Sequence, residues 1–182
     1  ELEIEFYQPP ERVLDTTAGK PWARWCVGGK LNIVHNCLDK YAGTPIDSKP
    51  ALRWEGEDGS TRTLTYAELR REVNRLTNAL RELGCEPGDV IGVFMPMTPE
   101  IVVAMLAIIK LGAVFVPLFS GFGAAAIAMR LNNAQATAFL IADGTRRRNR
   151  PVSMHTTAAE AVPQSPSVKQ VVVFEHHGGG EL

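Results

Sequence analysis

The hydrophobic and polar positions between residues 61 and 143 follow two alternating patterns. The first has the period of a helix with one apolar face, in which leucine and valine recur at steps of four, three, four and three: Leu69, Val73, Leu76, Leu80 and Leu83. Thr65 and Glu68 have the spacing of a capping box, and Gly84 suits a left-handed helix end. We therefore predict a helix that begins after Thr65 and ends at Gly84.

The second pattern is a set of short apolar runs with strand length, at residues 90–95, 113–116 and 138–142. Thr98, Pro99 and Glu100 form a typical helix start, and Gly112 a typical helix end, so a buried helix is predicted over 99–110. Pro117 is expected to stop the second strand, and a short helix is expected over 124–132. Strands alternating with helices predict an α/β fold whose mainly parallel sheet is flanked by helices.

The two ends of the chain differ from this periodic middle part. Residues 1–60 carry prolines, aromatics and short apolar runs, and we predict an N-terminal extension that packs on an α/β subdomain of residues 61–182. After a turn at Asp143-Gly144, the chain is first basic and then polar. Gly178, Gly179 and Gly180 predict a flexible tail beside His176 and His177, which we expect to be exposed.

Composition excludes several classes of function. The 182 residues have a formal net charge of −1, which gives no reason to expect nucleic-acid or membrane-surface binding. No apolar stretch reaches the roughly 18 residues that a membrane-spanning helix needs. Three cysteines, Cys26, Cys37 and Cys85, lack metal-ligand spacing and are interpreted as reduced thiols of a cytoplasmic protein.

A glycine-containing loop, residues 119–123, follows the strand predicted at 113–116 and leads directly into a helix. Glycines allow a ligand to approach the backbone, and the N–H groups at a helix N-terminus suit phosphate. Such a loop is also a common plain connector, and that alternative remains open.

A basic segment follows the strand predicted at 138–142, with four arginines within five residues: Arg146, Arg147, Arg148 and Arg150. Forked guanidinium groups match phosphate oxygens, although a solvated basic loop is the plainer alternative. Parallel strands would bring this segment and the glycine loop to the same edge of the sheet, where ligands bind in such folds. Together they predict a phosphate-binding site. His35 has apolar neighbours and is interpreted as structural, and the tryptophans Trp22, Trp25 and Trp54 as packing anchors.

Several segments resemble the AMP-forming acyl-CoA synthetases, and in particular the acetyl-CoA synthetase type. Residues 25–33 (WCVGGKLNI) and 36–39 (NCLD) are similar to the family's W-F-x-G-G-x-L-N…N-x-x-D opening. Residues 64–69 (LTYAEL), 88–93 (GDVIGV) and 110–119 (KLGAVFVPLF) resemble segments shared more widely by adenylate-forming enzymes. The resemblance runs from about residue 21 to residue 174.

The resemblance implies a ligase that joins a carboxylic acid to ATP, with Mg²⁺, and passes the acyl group from the acyl-adenylate to coenzyme A. The family's F-G-G-F loop for CoA corresponds to Phe119, Ser120, Gly121 and Phe122, with serine in place of the first glycine. Its R-x-G-[RK] stretch for the 3′-phosphate best matches Arg147, Arg148, Asn149 and Arg150, with asparagine in place of glycine. Both departures alter the loop geometry without removing a basic group.

The family's ATP-phosphate loop, acyl pocket and catalytic lysine have no counterpart in these 182 residues. We therefore expect an N-terminal piece that is inactive alone, with no catalytic residue or metal ligand of its own and the ATP and Mg²⁺ sites elsewhere. Exposed strand edges would favour self-association. Two alternatives remain: part of a peptide-synthetase adenylation domain, which the opening motif disfavours, and a CoA- or nucleotide-binding module without ligation chemistry.

Overall fold

A computed structural model describes residues 3–147 and 150–175. Contacts divide the chain into two compact units, Glu1–Lys40 and Tyr41–Leu182. Residues 41–60, which the sequence analysis assigned to the N-terminal extension, belong to the second unit because their strand pairs with a strand of that unit. Arg148, Asn149, His176, His177 and the glycine run 178–180 lie outside the described residues.

The first unit consists of an antiparallel strand pair and a short helix. Strand β1 (Arg12–Asp15) pairs with β2 (Arg24–Val27), and helix α1 (Ile33–Cys37) begins at Asn32, whose side chain accepts a hydrogen bond from the backbone of Val34.

The segment before β1 is bound to helix α1 by backbone and side-chain contacts. Glu5 and Asn36 exchange two hydrogen bonds of 2.8 Å between backbone and side chain. His35 pairs with the Glu5 carboxylate at 2.6 Å and lies against the ring of Tyr7. These contacts agree with a structural role for His35.

The second unit is an α/β layer built on a parallel sheet. Its elements in chain order are β3 (Pro50–Glu55), β4 (Thr61–Thr65), α2 (Tyr66–Glu82), β5 (Val90–Phe94), α3 (Pro99–Leu111), β6 (Val114–Leu118), α4 (Ala124–Ala134), β7 (Ala138–Ala142), β8 (Gly144–Arg147), β9 (Arg150–Ser153), α5 (Met154–Ala161) and β10 (Gln170–Phe174). Four strands form the parallel sheet in the order β10-β7-β5-β6. The α/β prediction is confirmed.

The core lies on the two central strands of this sheet. All five residues of β7 are buried, and Phe139 stacks on Phe94 of β5 with ring centroids 6.4 Å apart. Helix α2 buries Leu69, Val73 and Leu80, as its periodicity predicts, whereas Leu83 lies at the helix end and is 42% exposed.

The predicted helix ends follow from local hydrogen bonding. Thr65 Oγ1 accepts from the Glu68 backbone N–H, and the Thr65 N–H donates to the Glu68 carboxylate, so the capping box is confirmed. Gly84 and Gly112, both with φ of +84°, follow α2 and α3 in the left-handed conformation that glycine adopts without strain. Thr98 occupies the N-cap position of α3, but its side chain makes no capping hydrogen bond.

Two predictions about the strands are wrong. Strand β6 continues through Pro117 to Leu118, which is possible because β6 is an edge strand, where a residue without an N–H group is tolerated. The expected basic loop forms instead the antiparallel hairpin of β8 and β9, while the expected turn at 143–144 coincides with a bend at Asp143 just before β8. Helix α5 and strand β10 were not predicted, because they are short and have no long repeat.

We expect acid to weaken the attachment of the loop before β3 to helix α2. Asp47 accepts hydrogen bonds from the Arg70 guanidinium and from the Gly43 N–H, and these bonds hold the pKa of Asp47 below its ordinary value of 3.8. Because the folded-state pKa is lowered, this stabilisation is present above pH 3.8 and is lost as the pH falls through the folded-state pKa.

Unfolding by urea from pH 7 down to pH 2.5 measures this dependence. Asp47→Asn should flatten the acid limb of the stability curve. An equally steep acid limb in Asp47→Asn would assign the pH dependence to other carboxylates.

Candidate functional site

Segments that follow three neighbouring strands meet at one edge of the parallel sheet. Because β5, β6 and β7 run parallel, their carboxyl ends share this edge, which is where ligands bind in open α/β sheets. A cleft of about 560 Å³ lies there. Its lining comes from the segments after these strands and from the β3–β4 turn: Trp54, Glu55, Gly56, Glu57, Asp58, Ser60, Pro96, Met97, Thr98, Phe119, Ser120, Thr145 and Arg146.

The cleft contains part of the predicted glycine loop and part of the predicted basic segment. Phe119 and Ser120 follow β6, and Arg146 lies on β8 after β7. Strand β5 separates β6 from β7 in the sheet, so the two segments face each other across the end of β5. An aromatic ring, a hydroxyl and a guanidinium group therefore share one open cavity.

The glycine loop is a turn with an ordered pair of aromatic rings. The Phe122 N–H donates to the Phe119 carbonyl at 2.9 Å, and the two rings meet edge to face with centroids 5.6 Å apart. Apart from this contact, the Phe119 side chain is 59% exposed. Gly121 is exposed, and Gly123 is the N-cap of α4.

The basic segment distributes its arginines differently from the sequence prediction. Arg146 lines the cleft, whereas Arg150 is exposed on β9 and is not one of the described residues that line it. The backbone of Arg147 pairs with that of Arg150 at the end of the hairpin, and Arg148 lies outside the described residues. Alignment to the family motif selected Arg147, Arg148 and Arg150, and it passed over Arg146.

The β3–β4 turn, residues 55–60, forms a wall of the cleft that the sequence analysis missed. Trp54 Nε1 donates to the Met97 carbonyl at 2.7 Å, and Arg62 on β4 pairs with Glu100 on α3. These two contacts fix the hairpin to the segment after β5. Trp54, interpreted as a packing anchor, is held by this hydrogen bond and also lines the cleft. The same interpretation is wrong for Trp22 and Trp25, which are 72% and 69% exposed. The Asp58-Gly59 pair between two strand-like segments was the available signal.

Close packing fixes the shape of this turn. A Cβ at Gly56 would lie 2.7 Å from Asp58 Oδ1 and 2.8 Å from Trp54 Cη2, so a larger residue there would force these side chains to shift. Asp58 accepts hydrogen bonds from the side chain and backbone of Ser60 at 2.6 and 2.9 Å. The β3–β4 turn is therefore held in one conformation by close packing and hydrogen bonds.

The cleft combines negative and positive charge. Hydrogen bonds from Ser60, with a smaller contribution from Arg146, lower the pKa of Asp58, so its carboxylate is ionised at neutral pH. Burial raises the pKa of Glu100, but hydrogen bonds from Arg62 and Thr98 lower it by more, and the net shift is downward. Arg146 therefore faces an ionised carboxylate across the cavity.

Within 3–147 and 150–175, no three histidine, cysteine or acidic side chains come together as a metal site would require. The three cysteines are unpaired by disulfides, and burial raises the pKa of the thiols of Cys37 and Cys85. No described helix combines the length and apolar character needed to cross a bilayer.

Comparison with known proteins identifies the family. The family model described as "AMP-binding enzyme" matches residues 39–180, so the chain belongs to the AMP-binding enzyme family. A second model, "Acetyl-coenzyme A synthetase N-terminus", matches residues 1–37.

Individual relatives with high sequence identity are named acetyl-coenzyme A synthetase. The acetyl-coenzyme A synthetase of Deinococcus radiodurans is 45% identical over 97% of this chain and 27% of the relative. That of Chlorobaculum tepidum is 41% identical over 97% of this chain and 26% of the relative. The chain thus spans about a quarter of the length of these curated relatives.

A solved structure extends the similarity to the fold. The structure of acetoacetyl-CoA synthetase from Streptomyces lividans matches this chain with a TM-score of 0.88 and 32% identity. The match covers all of this chain and 28% of the synthetase chain.

Proposed function

We propose that these 182 residues form the N-terminal part of an AMP-forming acid–thiol ligase, which activates a short-chain carboxylate with ATP and transfers the acyl group to CoA. The support is the match to the AMP-binding enzyme model together with relatives named acetyl-coenzyme A synthetase. The match over residues 1–37 favours CoA over a carrier protein as the acyl acceptor. The same relatives lead us to propose a cytoplasmic location.

Within that enzyme, we assign the binding of CoA's nucleotide end to the cleft. The observation that supports this is the shared lining by Phe119, Ser120 and Arg146 at the carboxyl edge of the sheet. An exposed aromatic ring offers a stacking surface for a nucleobase, and a guanidinium fork matches the oxygens of a phosphate monoester. The CoA-contact set is proposed as Phe119, Ser120, Gly121, Phe122, Arg147, Arg148 and Arg150, with Arg146 added.

The chemical steps are assigned to other parts of the enzyme. No described cluster of side chains fits Mg²⁺, so no step through the metal or ATP is assigned to these residues. Their contribution is to bind and orient CoA while its thiol reaches an acyl-adenylate held elsewhere. This predicts that the 182 residues alone form no thioester.

The test compares the affinities of the full-length protein for CoA and for 3′-dephospho-CoA. Arg146→Ala, Arg147→Ala and Arg150→Ala should each weaken CoA binding about 10- to 150-fold, because a hydrogen bond to a charged group contributes roughly 1.5–3 kcal/mol. Binding of 3′-dephospho-CoA should stay within about twofold, since it lacks the group that these arginines would hold. Isothermal titration calorimetry measures both.

Arg75→Ala is a matched control, because Arg75 is an exposed arginine of helix α2 that pairs with Glu72 on the same helix. Equal affinity of the unaltered protein for the two ligands, unaffected by any of the three substitutions, would remove the phosphate-binding role. Binding of CoA without thioester formation would favour a binding module over a ligase.

A further inference from the structure

One arginine outside the cleft contacts the aromatic pair of the glycine loop. The guanidinium carbon of Arg130, on helix α4, lies 4.1 Å from the centre of the Phe122 ring. Phe122 in turn meets Phe119 edge to face, at an interplanar angle of 81°. Arg130 itself is not one of the described residues that line the cleft, so it reaches the cavity only through these two rings.

We infer that Arg130 is a positioning residue for CoA binding, which acts through Phe122 to hold the ring of Phe119 in the orientation that it presents to the cleft. The inference rests on the proposed function, because it assigns the supported ring to the CoA cleft. Nothing in the sequence patterns distinguished Arg130 from an ordinary helix residue.

The contacts explain why the ring needs such support. Phe119 is 59% exposed, and the hydrogen bond from the Phe122 N–H to the Phe119 carbonyl fixes only the backbone of the turn. An exposed side chain loses rotational freedom when a ligand stacks on it, and this loss opposes binding. A ring already held in place by a neighbour avoids most of that loss.

Arg130 is suited to this role by its own geometry. Its Nη1 donates to the Ala126 carbonyl at 2.9 Å, one turn earlier on α4, while the guanidinium carbon lies over the Phe122 ring. The planar, delocalised group can donate in its plane and attract the ring face at the same time. A lysine ammonium is a compact, strongly hydrated charge without this planar fork, so it should support the ring less well.

The test uses the full-length protein and measures the CoA-dependent step separately from adenylation. In Arg130→Met, which keeps an unbranched apolar chain near the ring, we expect KM for CoA to rise about two- to fivefold, the range for an exposed cation–π contact. The kcat should change little. ATP–pyrophosphate exchange with the carboxylate, which needs no CoA, should stay within about twofold, and Arg130→Lys should have an intermediate KM.

A double-mutant cycle tests whether the effect passes through Phe122. Phe122→Leu should raise KM for CoA, and adding Arg130→Met should raise it less than the product of the two single effects, because both changes remove the same contact. Arg75→Met on α2 is the matched control and should leave every parameter unchanged.

Three results would overturn the inference. The first is an unchanged KM for CoA in Arg130→Met, and the second is fully multiplicative effects in the double variant. The third is a parallel loss of exchange activity, which would indicate general damage to the fold. If the unaltered protein forms no CoA thioester, the proposed function fails, and this inference fails with it.

Discussion

Phe139→Ala is expected to lower the free energy of unfolding by about 3–5 kcal/mol, the range for truncating a buried phenylalanine. Phe139 lies on the central strand β7, has no exposed surface and stacks on Phe94 of the neighbouring strand. Because strands and helices surround β7, the structure cannot close fully over the space that the ring leaves. Urea denaturation should show a lower midpoint at an unchanged m-value.

Phe119→Ala is the matched control, since it makes the same chemical change at a ring that is 59% exposed. Its stability should fall by less than about 1 kcal/mol, because little buried surface is lost. Its affinity for CoA should fall instead, whereas Phe139→Ala should affect CoA binding only through unfolding. Similar losses of stability in the two variants would contradict the assignment of β7 to the core.

Gly92→Ala is expected to destabilise the protein by about 1–3 kcal/mol, the range for overpacking a filled core. A Cβ on Gly92 of β5 would lie 2.4 Å from Leu131 Cδ2 and 3.3 Å from Phe139. Leu131 is fully buried on α4, so relieving the overlap requires movement of its side chain or of the helix. Because α4 begins directly after the glycine loop, such movement should also weaken CoA binding.

Gly123→Ala is a suitable comparison, because a Cβ there meets nothing within 4 Å and the backbone φ is −80°. Its stability should change by less than about 1 kcal/mol, the scale of an N-cap substitution. Adding Leu131→Val to Gly92→Ala should recover part of the lost stability by opening space at the contact. If Gly92→Ala proves as stable as the unaltered protein, the packing of α4 against β5 is looser than the structure shows.

The elements predicted best are those whose ends are determined by neighbouring residues. Thr65 and Glu68 cap each other within one turn, and Gly112 ends α3 through its own backbone conformation, so sequence alone locates both. Strand β7 was predicted with its observed bounds because an uninterrupted apolar run needs burial on both faces. Pro117 misled the prediction because the position of β6 at the sheet edge is a property of the whole sheet.

The candidate site was likewise predicted in part from the sequence. The sequence singled out the glycine loop and the basic segment, and Phe119, Ser120 and Arg146 do line one cleft. It did not distinguish Arg146 from its basic neighbours, since that choice depends on a hairpin that was expected to be a loop. The opposite wall was missed because Trp54 reaches Met97 across 43 positions of sequence.

By itself, the sequence determined the α/β class, the capped helices, the buried strands and the resemblance to acyl-CoA synthetases. Hydrophobic periodicity and capping act within one or two turns of chain, so the residues that create them are adjacent in sequence. Only the tertiary structure decided the strand order, the meeting of the β3–β4 turn with Phe119 and Arg146, and the contact of Arg130 with Phe122. Those arrangements depend on which distant segments pack together, and packing is determined by the shape and burial of the assembled sheet.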